Sequence, residues 1–210
     1  MKRTNLLFLT IIFFIMTISI SFSYNFSSDN FSKNELEEKT ESETTDREKS
    51  LEGFDKMMQV LTHKRCVNCH PAGDRPHQGE DSHIHNFNVQ RGVSNFGSTA
   101  FNCNTCHHEE NNDIAGIPGA PEWSLAPKEM YWEGLSRVEI ANSMMNPEIN
   151  GGRDLEHLVE HLTEHALVLW AWNPGVDHEG NEREKPPVPK DEYIAAVKQW
   201  AENGAVIPEK

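Results

Sequence analysis

The sequence predicts a mostly α-helical domain of short helices joined by long Gly- and Pro-rich loops, with little or no sheet. Three observations carry this reading. Apolar residues recur at helical spacing over 51–63 and 190–203. Cap and stop signals frame further helices near Ser136 and Asp154. Between Pro71 and Pro127 the chain is punctuated by Gly and Pro and has little periodicity. Residues 51–210 fit one domain, and so much irregular chain needs internal staples.

Lys2 and Arg3 precede the apolar run from Leu6 to Ile20, the pattern of a secretory signal over 1–23. Ser21 and Ser23 supply small residues for cleavage after Ser23. The site lacks the favoured Ala-x-Ala form, so an uncleaved membrane anchor is the alternative. With no cysteine near the end of the run, a lipoprotein anchor is disfavoured. Residues 24–50 are rich in Ser, Thr, Asn and Glu and poor in apolar groups, which predicts a disordered acidic linker. Export places the domain in a bacterial periplasm, or on the outer face of the inner membrane if the anchor stays.

Leu51, Phe54, Met57, Met58 and Leu61 share one helical face, and this helix leads into Cys66-Val67-Asn68-Cys69-His70. A second copy of the pattern is Cys103-Asn104-Thr105-Cys106-His107, and the two copies use all 4 cysteines. Each reads C-x-x-C-H, the attachment signature of a c-type haem. Two thiols add to the two vinyl groups of one haem, and the adjoining His binds the iron. Zinc and a pair of disulfides are the competing readings. Zinc ribbons separate their Cys pairs by about 15–20 residues, less than the Cys69-to-Cys103 gap. Neither alternative gives a reason for a His after both second cysteines. Two covalently bound haem c groups, in a cytochrome c-like dihaem domain, are therefore expected, and they supply apolar core that the chain lacks.

Pro71 to Pro76 reads as a turn and loop, followed by His77, His83 and His85 in polar chain. One of the three is a candidate sixth ligand. His108 adjoins a proximal His and is read as lying near a propionate. Gly116 to Pro127 is a rigid Pro-punctuated loop that continues to Met130, Tyr131 and Trp132, suited to lining a flat macrocycle. Met130 is a candidate thioether ligand, with core packing as the alternative. Ser136 and Glu139 form a capping box for a helix that Asn146-Pro147 stops near Met145. Met144 and Met145 are read as core, with iron ligation as the weaker alternative.

Asp154 caps the next helix, where His157, His161 and His165 at i, i+4 and i+8 drift by about 40° per step and form one stripe. His161 is the preferred distal ligand. A zinc site there would want a fourth group. Leu167 to Trp172 follows and must be partly buried, and Asn173-Pro174-Gly175 breaks the chain direction. After the charged loop 177–189, residues 190–203 form the clearest helix, with Tyr193, Ile194, Val197, Trp200 and Ala201 on one stripe and Gly204 as its stop.

The formal charge is −14, and loss of Lys2 and Arg3 with the signal leaves −16. That argues against nucleic acid or anionic lipid as a partner and suits a basic face on a redox protein. Membrane association is expected only if the N-terminal segment is uncleaved.

Several stretches together resemble a family: Cys66 through Pro76, Gly116 through Pro127 with Met130 and Trp132-Glu133-Gly134, Asn150-Gly151-Gly152-Arg153, Glu160-His161, and Trp170 through Gly175. They resemble small exported cytochrome-like proteins labelled isoquinoline 1-oxidoreductase subunits, over most of residues 50–207. The resemblance implies work beside a molybdenum hydroxylase, with this chain as its electron-accepting partner. The chain has no molybdopterin site of its own and no spare cysteines for iron–sulfur clusters. The resemblance also favours His85, Met130 and His161 as distal ligands over His77, His157 and His165. The function expected is electron transfer between a periplasmic dehydrogenase and a respiratory-chain acceptor. A dihaem peroxidase-like enzyme or a haem-based gas sensor, either with one open iron site, is the alternative.

Overall fold

The computed structural model describes residues 28–209, with side chains from 39 onward. The expected signal over 1–23 and its cleavage at Ser23 lie outside the described residues. The chain divides into two units between Asp46 and Arg47.

The first helix, α1, runs Ser28–Leu61. Disorder was expected over 24–50, but its described part, from Ser28, is helical. The stretch is full of Glu and Lys, which lose little freedom in a helix. Lys39 pairs with Glu43 one turn on, and the Thr44 and Thr45 hydroxyls donate to the carbonyls of Thr40 and Glu41. The scarcity of apolar groups that argued for disorder bears on burial, and residues 39–45 and 47–49 are indeed exposed.

The unit from Arg47 is mostly helical with little sheet. After α1 come α2 (Lys64–Val67), α3 (Arg137–Met145), α4 (Leu155–Glu164), α5 (Ala166–Leu169) and α6 (Lys190–Glu202). Two small antiparallel hairpins lie in the loop region: β1 (His77–Gln78) with β2 (His83–Ile84), and β3 (Gly97–Ser98) with β4 (Phe101–Asn102). Short 3₁₀ turns at Cys103–Thr105, Lys128–Met130 and Trp170–Trp172 punctuate the rest.

Phe54, Met57, Met58 and Leu61 of α1 meet Tyr193, Val197 and Trp200 of α6 in the core, joined by Ile140 and Met144 of α3 and Leu158 and Leu162 of α4. A methyl group on Gly53 would stand 2.6 Å from the Ala196 carbonyl oxygen and 2.8 Å from the Trp200 nitrogen, so only glycine lets α1 and α6 approach this closely. Ser50 Oγ bridges the end of α6, donating to the Trp200 carbonyl and accepting from Val206 N–H, both at 2.9 Å. The capping box at Ser136 and Glu139 forms as read, and Asp154 caps α4.

The His stripe differs from its expectation. α4 ends at Glu164, and His165 has extended backbone (ψ 125°). Its Nδ1 accepts the Leu167 N–H at 3.3 Å and so caps α5. A side chain that satisfies a free backbone donor starts a new helix instead of continuing the old one.

Candidate functional site

The two C-x-x-C-H segments are built alike. At the first, Cys69 N–H donates to the Cys66 carbonyl at 3.1 Å and His70 N–H to the Val67 carbonyl at 2.9 Å, a tight turn leaving α2. The Pro-rich loop runs alongside: Ala126 N–H donates to the Cys69 carbonyl at 3.1 Å, and Trp132 N–H to the His70 carbonyl at 2.9 Å. At the second, Cys106 and His107 N–H both donate to the Cys103 carbonyl, at 3.2 and 2.9 Å, closing the 3₁₀ turn.

The two histidines then repeat one arrangement. His70 Nδ1 lies 2.6 Å from the Met130 carbonyl oxygen, and His107 Nδ1 lies 2.7 Å from the Pro118 carbonyl oxygen. A carbonyl only accepts, so each Nδ1 carries the hydrogen and each Nε2 keeps its lone pair. Each ring is also clamped by an indole. His70 stacks on Trp132 at 3.6 Å and 11°. His107 stacks on Trp123 at 4.5 Å and 6°. Trp123 is in turn held edge-on by Trp170, whose N–H donates to Asn111 Oδ1 at 3.0 Å. Burial holds both imidazoles well below their ordinary value, at about 4, so they are neutral bases at neutral pH.

The C-x-x-C-H pattern implies a haem c at each motif, and these tautomers test the fit. A proximal ligand must be neutral, oriented through its other nitrogen, and free at Nε2. His70 and His107 meet all three conditions. The thiols fit as well. Burial pushes Cys66 up to about 12 and Cys69 up to about 11, so without a bound group both are thiols at neutral pH. Among the described residues no group of three or more His, Cys, Asp or Glu is arranged to hold a metal ion, and the four cysteines form no disulfide. Cys103 is near enough to Cys69 to raise it further, so the two motifs are neighbours.

His85 faces His107 edge-on, with ring centres 6.0 Å apart and planes at 74°. Its Nδ1 lies 2.8 Å from the Asn86 carbonyl oxygen, which leaves Nε2 free here too. His161 lies on α4. Burial lowers it to about 4, and the charges of Arg153, His165 and His70 push the same way, which places it within electrostatic reach of the first motif. It lines an open cleft of about 650 Å³ together with Gly151, Gly152, Arg153, Glu160 and His165.

The remaining candidates are engaged elsewhere or exposed. Met130 gives its backbone oxygen to His70 Nδ1, and its side chain belongs to the buried apolar cluster. His165 uses both nitrogens, Nδ1 on Leu167 N–H and Nε2 at 3.1 Å on Glu122. His157 is exposed and bound to Asp154. His83 is exposed and bound to Asp81. His77 Nε2 lies 3.7 Å from Glu133, and His108 is exposed.

The two sites differ in depth. The first sits against the core, whereas Cys106 is exposed. Exposed apolar side chains crowd the segment around the second motif, among them Phe87, Val93, Phe101 and Ile114. The Met130 and Pro118 carbonyls, which fix the tautomers, carried no signal in the sequence, because any residue offers a carbonyl. Asn111 was missed for a different reason. It accepts from Trp170 and Gly119 N–H and donates to the Asn173 carbonyl, joining the loop at 111–119 to the turn at 170–173.

No protein-family model, curated protein or solved structure matches the chain.

Proposed function

We propose that the protein is an exported dihaem c-type cytochrome that carries electrons between a periplasmic dehydrogenase and a respiratory-chain acceptor. The observation that carries this reading is the repeated geometry at His70 and His107: Nδ1–H on a backbone carbonyl, Nε2 free, ring flat on an indole. Cys66 and Cys69 would hold one haem, and Cys103 and Cys106 the other. When bound, a haem supplies reversible one-electron chemistry.

The chain's own residues orient the two imidazoles and keep them neutral. His85 supports the reading as distal partner to His107. The two ring centres lie 6.0 Å apart and both rings hold Nδ1 on a backbone carbonyl, so this pair would hold the haem of the second motif. His161 is the corresponding partner for His70. The position of Met130 behind His70 favours a role in holding the proximal ring over distal ligation. Two histidines at each iron would leave no open position, which favours a carrier over a peroxidase or a gas sensor.

The acidic balance suits a partner with a basic face. A molybdenum hydroxylase as donor rests on the family resemblance alone. No helix among the described residues is long and apolar enough to cross a membrane, and periplasmic location rests on residues 1–23. Spectroelectrochemical titration of the purified protein tests the function. A carrier shows low-spin spectra in both redox states and no reaction of the reduced form with carbon monoxide. A high-spin haem with peroxide turnover would replace it with the enzyme reading.

A further inference from the structure

The hydrogen bond that sets the His107 tautomer ends on one half of a peptide group. His107 Nδ1 donates to the Pro118 carbonyl at 2.7 Å. The N–H of that same peptide, on Gly119, donates to Asn111 Oδ1 at 3.0 Å. Hydrogen bonds in such a row polarise one another, so the bond to Asn111 makes the Pro118 oxygen a stronger acceptor for His107.

The same Asn111 oxygen accepts the Trp170 indole N–H at 3.0 Å. Trp170 stands edge-on to Trp123, with ring centres 4.8 Å apart and planes at 84°, and Trp123 is the ring stacked on His107. One carboxamide oxygen is thus tied to both contacts that hold this imidazole. Chemistry fixes its orientation. The oxygen meets two donors, and the amide nitrogen donates to the Asn173 carbonyl at 2.8 Å, so a flipped amide would set N–H against N–H.

The backbone is shaped around this side chain. A methyl on Gly175 (φ 67°) would stand 3.0 Å from Asn111 Cγ and 3.1 Å from its Nδ2. A methyl on Gly119 would stand 2.2 Å from the Glu110 carbonyl oxygen and 2.5 Å from that of His108. Glycine at both places lets the chain close on the amide. At the first motif the stacking indole, Trp132, has no hydrogen-bond partner for its N–H.

We propose that Asn111 is a positioning residue for His107. It sets the strength of the Nδ1–H bond and the seat of the stacking indole, and so tunes the reduction potential at the second motif alone. This rests on the dihaem reading. A stronger bond from Nδ1 gives the imidazole more anionic character and favours the ferric state.

The test uses the full chain matured with haem, and first counts haem per chain, so that failure of the dihaem reading is seen by itself. With two haems loaded, Asn111→Leu removes the acceptor. It should favour reduction of one haem by a factor of about two to ten, read as a raised midpoint potential, and leave the other in place. Asn111→Asp keeps an oxygen for both N–H donors and strengthens it, so it should lower the same wave. Asn112→Asp puts the same charge on the next residue, whose side chain meets the Ala115 N–H instead, and should shift that wave much less. If Asn111→Leu fails to mature, the comparison of the two Asp variants decides. Both potentials unchanged in Asn111→Leu, or equal shifts in Asn111→Asp and Asn112→Asp, would overturn the proposal.

Discussion

His85 and His107 face one another across 6.0 Å between ring centres, each with its Nδ1 on a backbone carbonyl and its Nε2 free. They come from separate loops, and His85 lies beside residues with left-handed backbone, Phe87 (φ 62°) and Asn88 (φ 53°). The contact brings two otherwise distant loops together beside the second motif.

Removing either distal histidine should open one iron. His85→Ala and His161→Ala are each expected to convert about half of the haem to a form that binds carbon monoxide when reduced. His108→Ala and His83→Ala, at exposed positions, should leave the spectrum unchanged. Difference spectra of the reduced variants check this.

Met130 separates packing from ligation. Met130→Ala empties a buried site in the main cluster and should cost about 2–5 kcal/mol, read from denaturant unfolding. Because its backbone carbonyl still meets His70, the low-spin spectrum should persist in the folded fraction. A new high-spin haem would make the Met130 thioether a ligand after all.

The α1–α6 crossing gives a sharper stability test. Gly53→Ala places a methyl against backbone on α6, at 2.6 and 2.8 Å, and backbone cannot rotate away. The expected loss is about 1–3 kcal/mol, measured as a drop in midpoint denaturant or melting temperature. Gly73→Ala, where a methyl would meet nothing within 4 Å, is the control.

The Asp154–His157 pair sets a pH signature at the start of α4. Hydrogen bonding to Asp154 raises His157, and backbone and side-chain hydrogen bonds from His157 lower Asp154. The His157 contribution is full below the ordinary imidazole range and is lost as pH rises through its raised value. The Asp154 contribution is full above the ordinary carboxylate range and is lost as pH falls through its depressed value. In Asp154→Asn the His157 titration followed by NMR should move down toward the ordinary imidazole value, while the helix cap persists.

Much of this was legible in sequence because it depends on local rules. The capping box at Ser136, the Asn146-Pro147 stop and the α6 stripe each need only neighbouring residues, and each appears where read. The helix over the described part of the linker was not legible because absence of apolar residues bears on burial, while Glu and Lys still favour a helix. The break at His165 was hidden because spacing cannot show which side chain will take a backbone N–H. At the site, the motifs and His85 were visible by residue type. The carbonyls of Met130 and Pro118 and the bridge at Asn111 arise only when distant loops meet.

The central claim is tested most directly by counting covalent haem per chain, from the alkaline pyridine haemochrome of protein made with a haem c maturation system. The account expects about two haems per chain, falling to about one in Cys66→Ser/Cys69→Ser and in Cys103→Ser/Cys106→Ser. No covalent haem in the intact chain, with zinc bound instead, would contradict it.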